Sequence, residues 1–186
     1  LTKDQAGLSV REKLAAVREK LAAQKAGAML VTRLDSVAWL LNLRASDIAY
    51  NPFALAYCLV EENTARLFIN AARVPEDVQA ALKAQGVELC SYEQARSALA
   101  AMGGPATVLY EPAGKSWAML RALEENPAVT LQEGEEPVQA LKGVKNETEI
   151  ARMKQAHRKD GAAMVRFEIE LRRRLAAGES WMEMEA

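Results

Sequence analysis

The chain has 186 residues, half of them apolar, and a formal net charge of −1. A chain of this length suggests one domain with an extension, or two small domains, and folding would bury about 70% of its unfolded surface. The near-neutral charge and the aromatic content of 5% argue against nucleic acid as a partner. No apolar run reaches the about 18 residues of a membrane span, which argues against a membrane partner.

Both ends of the chain are expected to be internal positions of a longer polypeptide. The first residue is Leu1, and an amphipathic pattern that begins at Trp181 continues to the last residue. The polar first residues do not form a secretory signal. Cys58 and Cys90 lie in apolar segments and are predicted to be free thiols, which favours a cytoplasmic location.

Short helices and strands are predicted to alternate over the first 130 or so residues. Ser9 and Glu12 form a capping box that predicts a helix from Val10. Asp35 or Ser36 can cap a second helix. Two apolar runs joined by a short polar link predict an antiparallel hairpin, with strands Phe53–Val60 and Thr64–Asn70.

Four further apolar runs between turn residues predict the other strands, which are Ala28–Thr32, Val87–Cys90, Thr107–Tyr110 and Ala128–Leu131. Three further helices are predicted: Pro75 to about Gln85, a segment capped by Ser91 with Gln94 that ends at Gly103-Gly104, and Lys115 to Glu124. Alternation of this kind predicts an α/β fold with a mixed β-sheet flanked by helices.

The composition changes near residue 133, where the acidic segment Glu133–Pro137 predicts a connector. After a short apolar turn, Asn146 can cap a new helix that is predicted to run to about Ala177. We therefore expect a first domain at 1–140 and a second, represented by a long helix, at 144–186. A helix this long usually needs a partner surface.

The most distinctive segment for function is the polar stretch Arg44–Pro52, which follows an apolar helix end. Loops that follow such elements often carry binding residues. Its candidates are Arg44, Asp47 and Tyr50. Two interpretations stay open. In one, Asp47 caps or braces the turn through its own backbone and Arg44 is a structural fork to a carbonyl or a carboxylate. In the other, all three side chains project towards a partner or substrate.

Other reactive residues have simpler interpretations. His157 is the only histidine, and neighbouring Asp160 does not complete a set of metal ligands. Cys58 lacks a nearby base in its apolar run, and Gly103-Gly104-Pro105 precedes a strand rather than a phosphate-binding helix. Three consecutive arginines at 172–174 are typical of a solvated helix end. We therefore predict no catalytic and no metal-binding residue in this chain.

Two segments resemble a known family. Residues 34–52 and residues 144–150, followed by Ala156-His157-Arg158-Lys159-Asp160-Gly161-Ala162, are similar to Xaa-Pro aminopeptidase, or aminopeptidase P, in its larger, three-domain form. The resemblance covers nearly the whole chain. The family usually has glycine where Ala45 stands, and alanine resists a positive φ angle, so the loop either differs here or does not need that conformation.

The resemblance implies that residues 1–140 form the non-catalytic domain with the creatinase amino-terminal fold, and that residues from 144 begin the "pita-bread" catalytic domain. It implies a cytoplasmic hydrolase that removes the residue preceding proline and uses two divalent metals, with manganese expected. No residue of this chain matches a metal ligand, so the fragment alone is expected to be inactive. Its implied partners are its own catalytic domain, the peptide substrate and a second copy in a homodimer.

The implied role of the fragment is to shape substrate access, with Arg44, Asp47 and Tyr50 as the candidate residues. Two alternatives stay open at this point. One is a stand-alone α/β interaction module without a catalytic partner. The other is the same domain of a prolidase or creatinase relative.

Overall fold

The structure is a computed structural model that describes residues 1–104 and 106–183. Pro105 of the predicted glycine-rich turn, and residues 184–186 of the predicted C-terminal amphipathic pattern, lie outside the described residues. Contacts between residues divide the chain into two compact units, one at Leu1–Lys145 and one that begins at Asn146.

Six strands within the described residues form one mixed sheet. They are β1 (Ala28–Val31), β2 (Ala56–Glu61), β3 (Ala65–Ile69), β4 (Val87–Ser91), β5 (Ala106–Tyr110) and β6 (Val129–Glu133). Their order across the sheet is β4-β3-β2-β1-β5-β6. Strand β2 is antiparallel to both neighbours, whereas the other three pairings are parallel. The predicted mixed sheet and the predicted hairpin between β2 and β3 are confirmed.

Within residues 1–104 and 106–145, seven α-helices flank this sheet. They are α1 (Lys3–Ala6), α2 (Val10–Ala23), α3 (Leu34–Leu40), α4 (Glu76–Ala84), α5 (Ala95–Ala100), α6 (Trp117–Glu124) and α7 (Pro137–Gly143). The capping box at Ser9 is present, with the Ser9 hydroxyl accepting the Glu12 N–H at 3.2 Å. No helix formed by the described residues combines the length and the apolar character that crossing a bilayer requires.

Side chains alternate along the strands, so the sheet builds a separate core on each face. On one face, Met29 and Val31 of β1 pack with buried residues of α2, α3, α4 and α7. On the other face, Leu30 of β1 and Phe68 of β3 pack with buried residues of α5 and α6. The first unit is therefore a three-layer α/β/α arrangement.

Several helix starts that were predicted from capping residues in the sequence differ from those in the structure. Helix α3 begins at Leu34, before either predicted cap, and Ser91 bonds to Glu93 instead of forming the predicted box with Gln94. The segment 92–94 is a 3₁₀ turn, and α5 is short. The predicted apolar turn before Asn146 is helix α7, which packs on α2 and α3.

The predicted caps on α3 are instead tertiary contacts. The carboxylate of Asp35 pairs with Lys142, and the Ser36 hydroxyl accepts a hydrogen bond from Gln139 at 2.5 Å. Both partners belong to α7. Polar residues at a helix start are therefore used here to hold α7 against α3, a use that local spacing does not reveal.

The second unit contains α8 (Glu147–Ala176), which confirms the predicted long helix. The Asn146 side chain accepts the Glu149 N–H at 2.9 Å, and the Glu149 carboxylate accepts the Asn146 N–H at 2.9 Å. Beyond the helix, the Trp181 ring lies 5.6 Å from the ring of Phe167. Arg174 lies 4.4 Å from the centroid of the same Trp181 ring. These contacts hold the segment after Gly178 against the last turns of α8.

Candidate functional site

The polar segment singled out by the sequence lies in a loop from Asn42 to Pro52, called here the 42–52 loop. It starts directly after Leu41, the C-cap residue of α3, and Asn42 adopts a left-handed φ of +52°. The loop is closed by a hydrogen bond of 3.2 Å from the Ala45 N–H to the Pro52 carbonyl. Ala45 is not among the described non-glycine residues with positive φ, so the loop does not need glycine there.

Arg44 lies at the root of the 42–52 loop and contacts backbone oxygens. Its Nη1 donates to the carbonyl of Ala38 at 3.0 Å and to its neighbour Leu43 at 2.6 Å. The carbonyls at a helix C-terminus lack partners within the helix and attract cations. Arg44 thus ties the loop to the end of α3, which matches the bracing interpretation.

Asp47 braces the middle of the loop through two contacts. Its Oδ1 lies 2.6 Å from Nη1 of Arg73, and its Oδ2 accepts the Leu55 N–H at 2.9 Å. Arg73 was missed by the sequence interpretation, because 26 positions separate it from Asp47 and no local pattern links them. The pair is partly exposed, so we assign it about 1 kcal/mol or less.

Tyr50 differs from the other two candidates, because it points away from the protein. A bridge between Ile48 and Asn51 forms a tight turn, and Tyr50 lies at its tip with a φ of +63°. Its side chain is fully exposed, at 106% of the reference area. A bulky residue in the left-handed region is strained by about 1–2 kcal/mol. The turn therefore presents the Tyr50 ring to solvent at the cost of a strained backbone conformation.

A cavity of about 260 Å³ lies beside the loop root, and Arg44, Asp47 and Arg73 line it together with apolar residues of β3 and α4. Tyr50 does not line this cavity. A larger open groove of about 450 Å³ between α4 and β4 contains none of the residues predicted from the sequence. The structure thus brings Arg44 and Asp47 to one cavity and leaves Tyr50 on the loop tip.

The reactive residues elsewhere do not assemble a catalytic centre within the described residues. Burial raises the pKa of the Cys58 thiol to about 12, so the nucleophilic thiolate is scarce at neutral pH. Over residues 1–104 and 106–183, no group of three or more His, Cys, Asp or Glu side chains is placed to hold a metal ion. His157 lies on α8 without such a group. These residues do not fit a metal centre.

A second polar cluster lies beyond the ends of β1, β5 and β6. Arg33 pairs with Glu111 at 2.9 Å and lies 3.9 Å from Glu136. Glu136 is only 5% exposed, and its Oε1 has no hydrogen-bond partner among the described residues. Burial raises the pKa of Glu136 above its ordinary 4.5; Glu111 and Asp35 reinforce this, whereas Ser36 and Arg33 oppose it.

Glu136→Gln is expected to stabilise the protein relative to wild type progressively as the pH rises. A raised folded-state pKa means that the wild-type contribution is complete below pH 4.5 and is lost as the pH rises through the folded value. Glutamine cannot ionise and therefore avoids this loss. Urea denaturation over a pH series measures the difference. Glu135→Gln, at an exposed neighbour, is the control. A difference in free energy of unfolding between Glu136→Gln and wild type that is the same at every pH would contradict the raised pKa of Glu136.

The chain resembles known proteins in both sequence and fold. Residues 1–149 match the family model of the Creatinase/Prolidase N-terminal domain. A probable Xaa-Pro aminopeptidase P of Metarhizium robertsii is 36% identical in an alignment of 184 positions that covers 92% of this chain and 29% of the relative. A protein of the same name from Sordaria macrospora is 33% identical in an alignment of 171 positions that covers 87% of this chain and 28% of the relative. The chain spans less than a third of either.

Solved structures show the same fold. The X-prolyl aminopeptidase of Caenorhabditis elegans, described as a cytosolic enzyme with a di-nuclear active site, superimposes with a TM-score of 0.86 and 32% identity. That match covers 100% of this chain and 31% of the other. A Pyrococcus horikoshii prolidase, 18% identical with a TM-score of 0.59, covers 84% of this chain and 42% of its own, and shares the fold. The chain therefore belongs to the creatinase/prolidase amino-terminal domain family.

Proposed function

We propose that this chain is the non-catalytic amino-terminal part of a metal-dependent Xaa-Pro aminopeptidase, an enzyme that removes the residue preceding proline. The observation that carries the proposal is the match to the C. elegans X-prolyl aminopeptidase over 100% of this chain, with a TM-score of 0.86. The relatives named Xaa-Pro aminopeptidase P support it over 87–92% of the chain. The prolidase likeness, at 18% identity, supports the fold alone.

The catalytic metals belong to the whole enzyme in this proposal. The described residues do not form a group that fits a metal, so two divalent ions, with manganese proposed, would be held by residues of the catalytic domain. We propose that this domain begins near residue 144, and the boundary between compact units at Lys145 supports that placement. We also propose that the whole enzyme is located in the cytoplasm and forms a homodimer.

The 42–52 loop is proposed to shape substrate access in that enzyme. Tyr50 is strained in its backbone and fully exposed. Strained backbone conformations cluster at functional sites, which supports a role for Tyr50 in binding. An aromatic ring offers a rigid, amphipathic contact surface at low cost in conformational entropy. In this assignment Tyr50 contacts the peptide, whereas Arg44 and Asp47 hold the loop that presents it.

The test uses the full-length enzyme with manganese and three peptides of equal concentration. We expect cleavage of a pentapeptide with proline second, little cleavage of the same peptide with alanine second, and an Xaa-Pro dipeptide as a poorer substrate. The 186-residue chain alone is expected to cleave none of them. Activity restricted to the dipeptide would favour a prolidase instead, and no activity at all would favour the stand-alone interaction module.

A further inference from the structure

Lys13 lies on α2, beneath the root of the 42–52 loop, and only 1% of it is exposed. Its ammonium donates hydrogen bonds of 2.8 Å to the side-chain oxygen of Asn42 and 2.8 Å to the carbonyl oxygen of Trp39. The same ammonium lies 4.1 Å from the centroid of the Trp39 ring. A buried cation is costly unless groups of this kind replace its water.

Asn42 is the residue at which the chain leaves α3 and enters the loop. It is 4% exposed and left-handed, a conformation that asparagine tolerates better than most residues. Its side-chain nitrogen donates to the Leu8 carbonyl at 2.9 Å, while its side-chain oxygen accepts from Lys13. Both atoms of the amide are thus bonded to segments that precede α3, and these bonds set the direction in which the loop starts.

We propose that Lys13 is a positioning residue for the 42–52 loop, because its ammonium holds Asn42 and the end of α3 in the arrangement that presents Tyr50. This inference rests on the proposed role of the loop in substrate access. The anchor is tertiary, since Lys13 precedes Trp39 by 26 positions and Asn42 by 29.

A lysine suits this position for three physical reasons. Its ammonium has three donors, enough for both oxygens at once. The Trp39 carbonyl belongs to the C-terminal end of α3, where the helix dipole favours a cation. Its flexible stem crosses the apolar layer of α2, where Leu14 and Val17 are buried. Methionine would fill much of the same space but would leave both oxygens without this donor.

Hydrogen exchange on the 186-residue chain tests the anchor without any assumption about activity. For Lys13→Met we expect the loop amides that donate backbone hydrogen bonds, those of Leu43, Ala45 and Asn51, to exchange about tenfold faster, the equivalent of one lost charged hydrogen bond. Amides of β1 and β2 should keep their protection. Lys20→Met, at an exposed position on the same helix, should leave the loop unchanged. A folded Lys13→Met chain with unaltered loop protection would overturn the proposal.

Asn42→Gly provides a second route if Lys13→Met fails to fold. Glycine adopts the left-handed φ of Asn42 easily, so this change removes the side-chain bonds to Lys13 and to Leu8 without backbone strain. Tyr50→Gly is the matched control, because it also puts glycine at a left-handed position of the same loop but leaves the Lys13 anchor intact. Faster exchange of the Leu43 and Ala45 amides in Asn42→Gly than in Tyr50→Gly supports the anchor; equal exchange contradicts it.

Kinetics of the full-length enzyme connect the anchor to the proposed function. Lys13→Met should raise KM for an Xaa-Pro peptide about fivefold with little change in kcat, because the loss concerns substrate binding and not the reacting centre. Faster loop exchange with an unchanged KM would support Lys13 as the anchor and overturn the role of the loop in substrate access. A raised KM with unaltered loop exchange would overturn the anchor.

Discussion

Leu41→Ala is expected to lower the free energy of unfolding by about 2–5 kcal/mol. Leu41 is 1% exposed in the core that α2, α3, α4 and α7 share, and it is the C-cap residue of α3, directly before the 42–52 loop. Alanine would leave a cavity at the point from which the loop starts. Because small domains have total stabilities of about 5–15 kcal/mol, this loss is large, and urea denaturation measures it directly.

Leu55→Ala is the control for that experiment. Leu55 lies just after the loop but is 48% exposed, so its truncation should change the stability by about 0.5 kcal/mol or less. The denaturant slope should be the same for both variants, because neither changes the extent of the folded structure. Equal losses at Leu41 and Leu55 would show that Leu41 is not part of the core.

Tyr50→Gly should stabilise the fold and weaken substrate binding at the same time. Glycine removes the left-handed strain, which raises the free energy of unfolding by about 1–2 kcal/mol. It also gives the unfolded chain more conformational freedom, which lowers the free energy of unfolding by about 0.4–1 kcal/mol. The net gain is therefore about 0–1.6 kcal/mol, with a midpoint of about 0.8 kcal/mol, measured by denaturation of the 186-residue chain. In the full-length enzyme, loss of an exposed aromatic contact should raise KM about tenfold with kcat nearly constant.

Ala49→Gly separates these two effects. Ala49 is the exposed neighbour of Tyr50 and does not adopt a positive φ, so glycine there adds only unfolded-state freedom. It should lower the stability by about 0.4–1 kcal/mol and leave KM unchanged. If Tyr50→Gly lost stability as Ala49→Gly does, strain at Tyr50 would be disproved. If KM did not change, the contact between Tyr50 and the peptide would be disproved.

The stability and binding effects of Tyr50→Gly are expected to have opposite signs, which distinguishes a functional loop from a structural one. If Tyr50 served only the fold, its replacement would lower the stability of the protein and would change KM only because part of the enzyme unfolds. Residues that serve binding are often kept at a cost to the fold. The position of Tyr50, exposed at 106% and with a φ of +63°, is the type of site where this exchange is expected.

The helices and strands with strong local patterns could be predicted from the sequence. The Ser9 and Asn146 caps mark the starts of α2 and α8, and the polar link after Val60 marks the hairpin of β2 and β3. Each signal is contained in a short segment, so no distant contact is needed to read it. Membership in the creatinase/prolidase amino-terminal domain family was also evident from residues 34–52 and 144–150.

Lys13 shows where a signal was available but was missed. It lies three residues after Val10 and four before Val17, on the apolar stripe of α2 that also carries Leu14. A lysine in such a stripe indicates a buried cation that must find acceptors. The sequence therefore marks the position, but it does not identify Asn42 and Trp39 as the acceptors.

The sequence by itself determined the class of fold, the long second-unit helix and the location of the polar loop. Only the tertiary structure decided that Arg44 and Asp47 brace the loop while Tyr50 is presented at its tip. It also decided that the segment after Glu136 is a helix held by α3. Helical and strand periodicity act over a few residues, whereas these roles depend on pairs of groups separated by 6 to more than 100 positions. The distant pairs, such as Gln139 and Ser36, meet only once the sheet and its helical layers have formed.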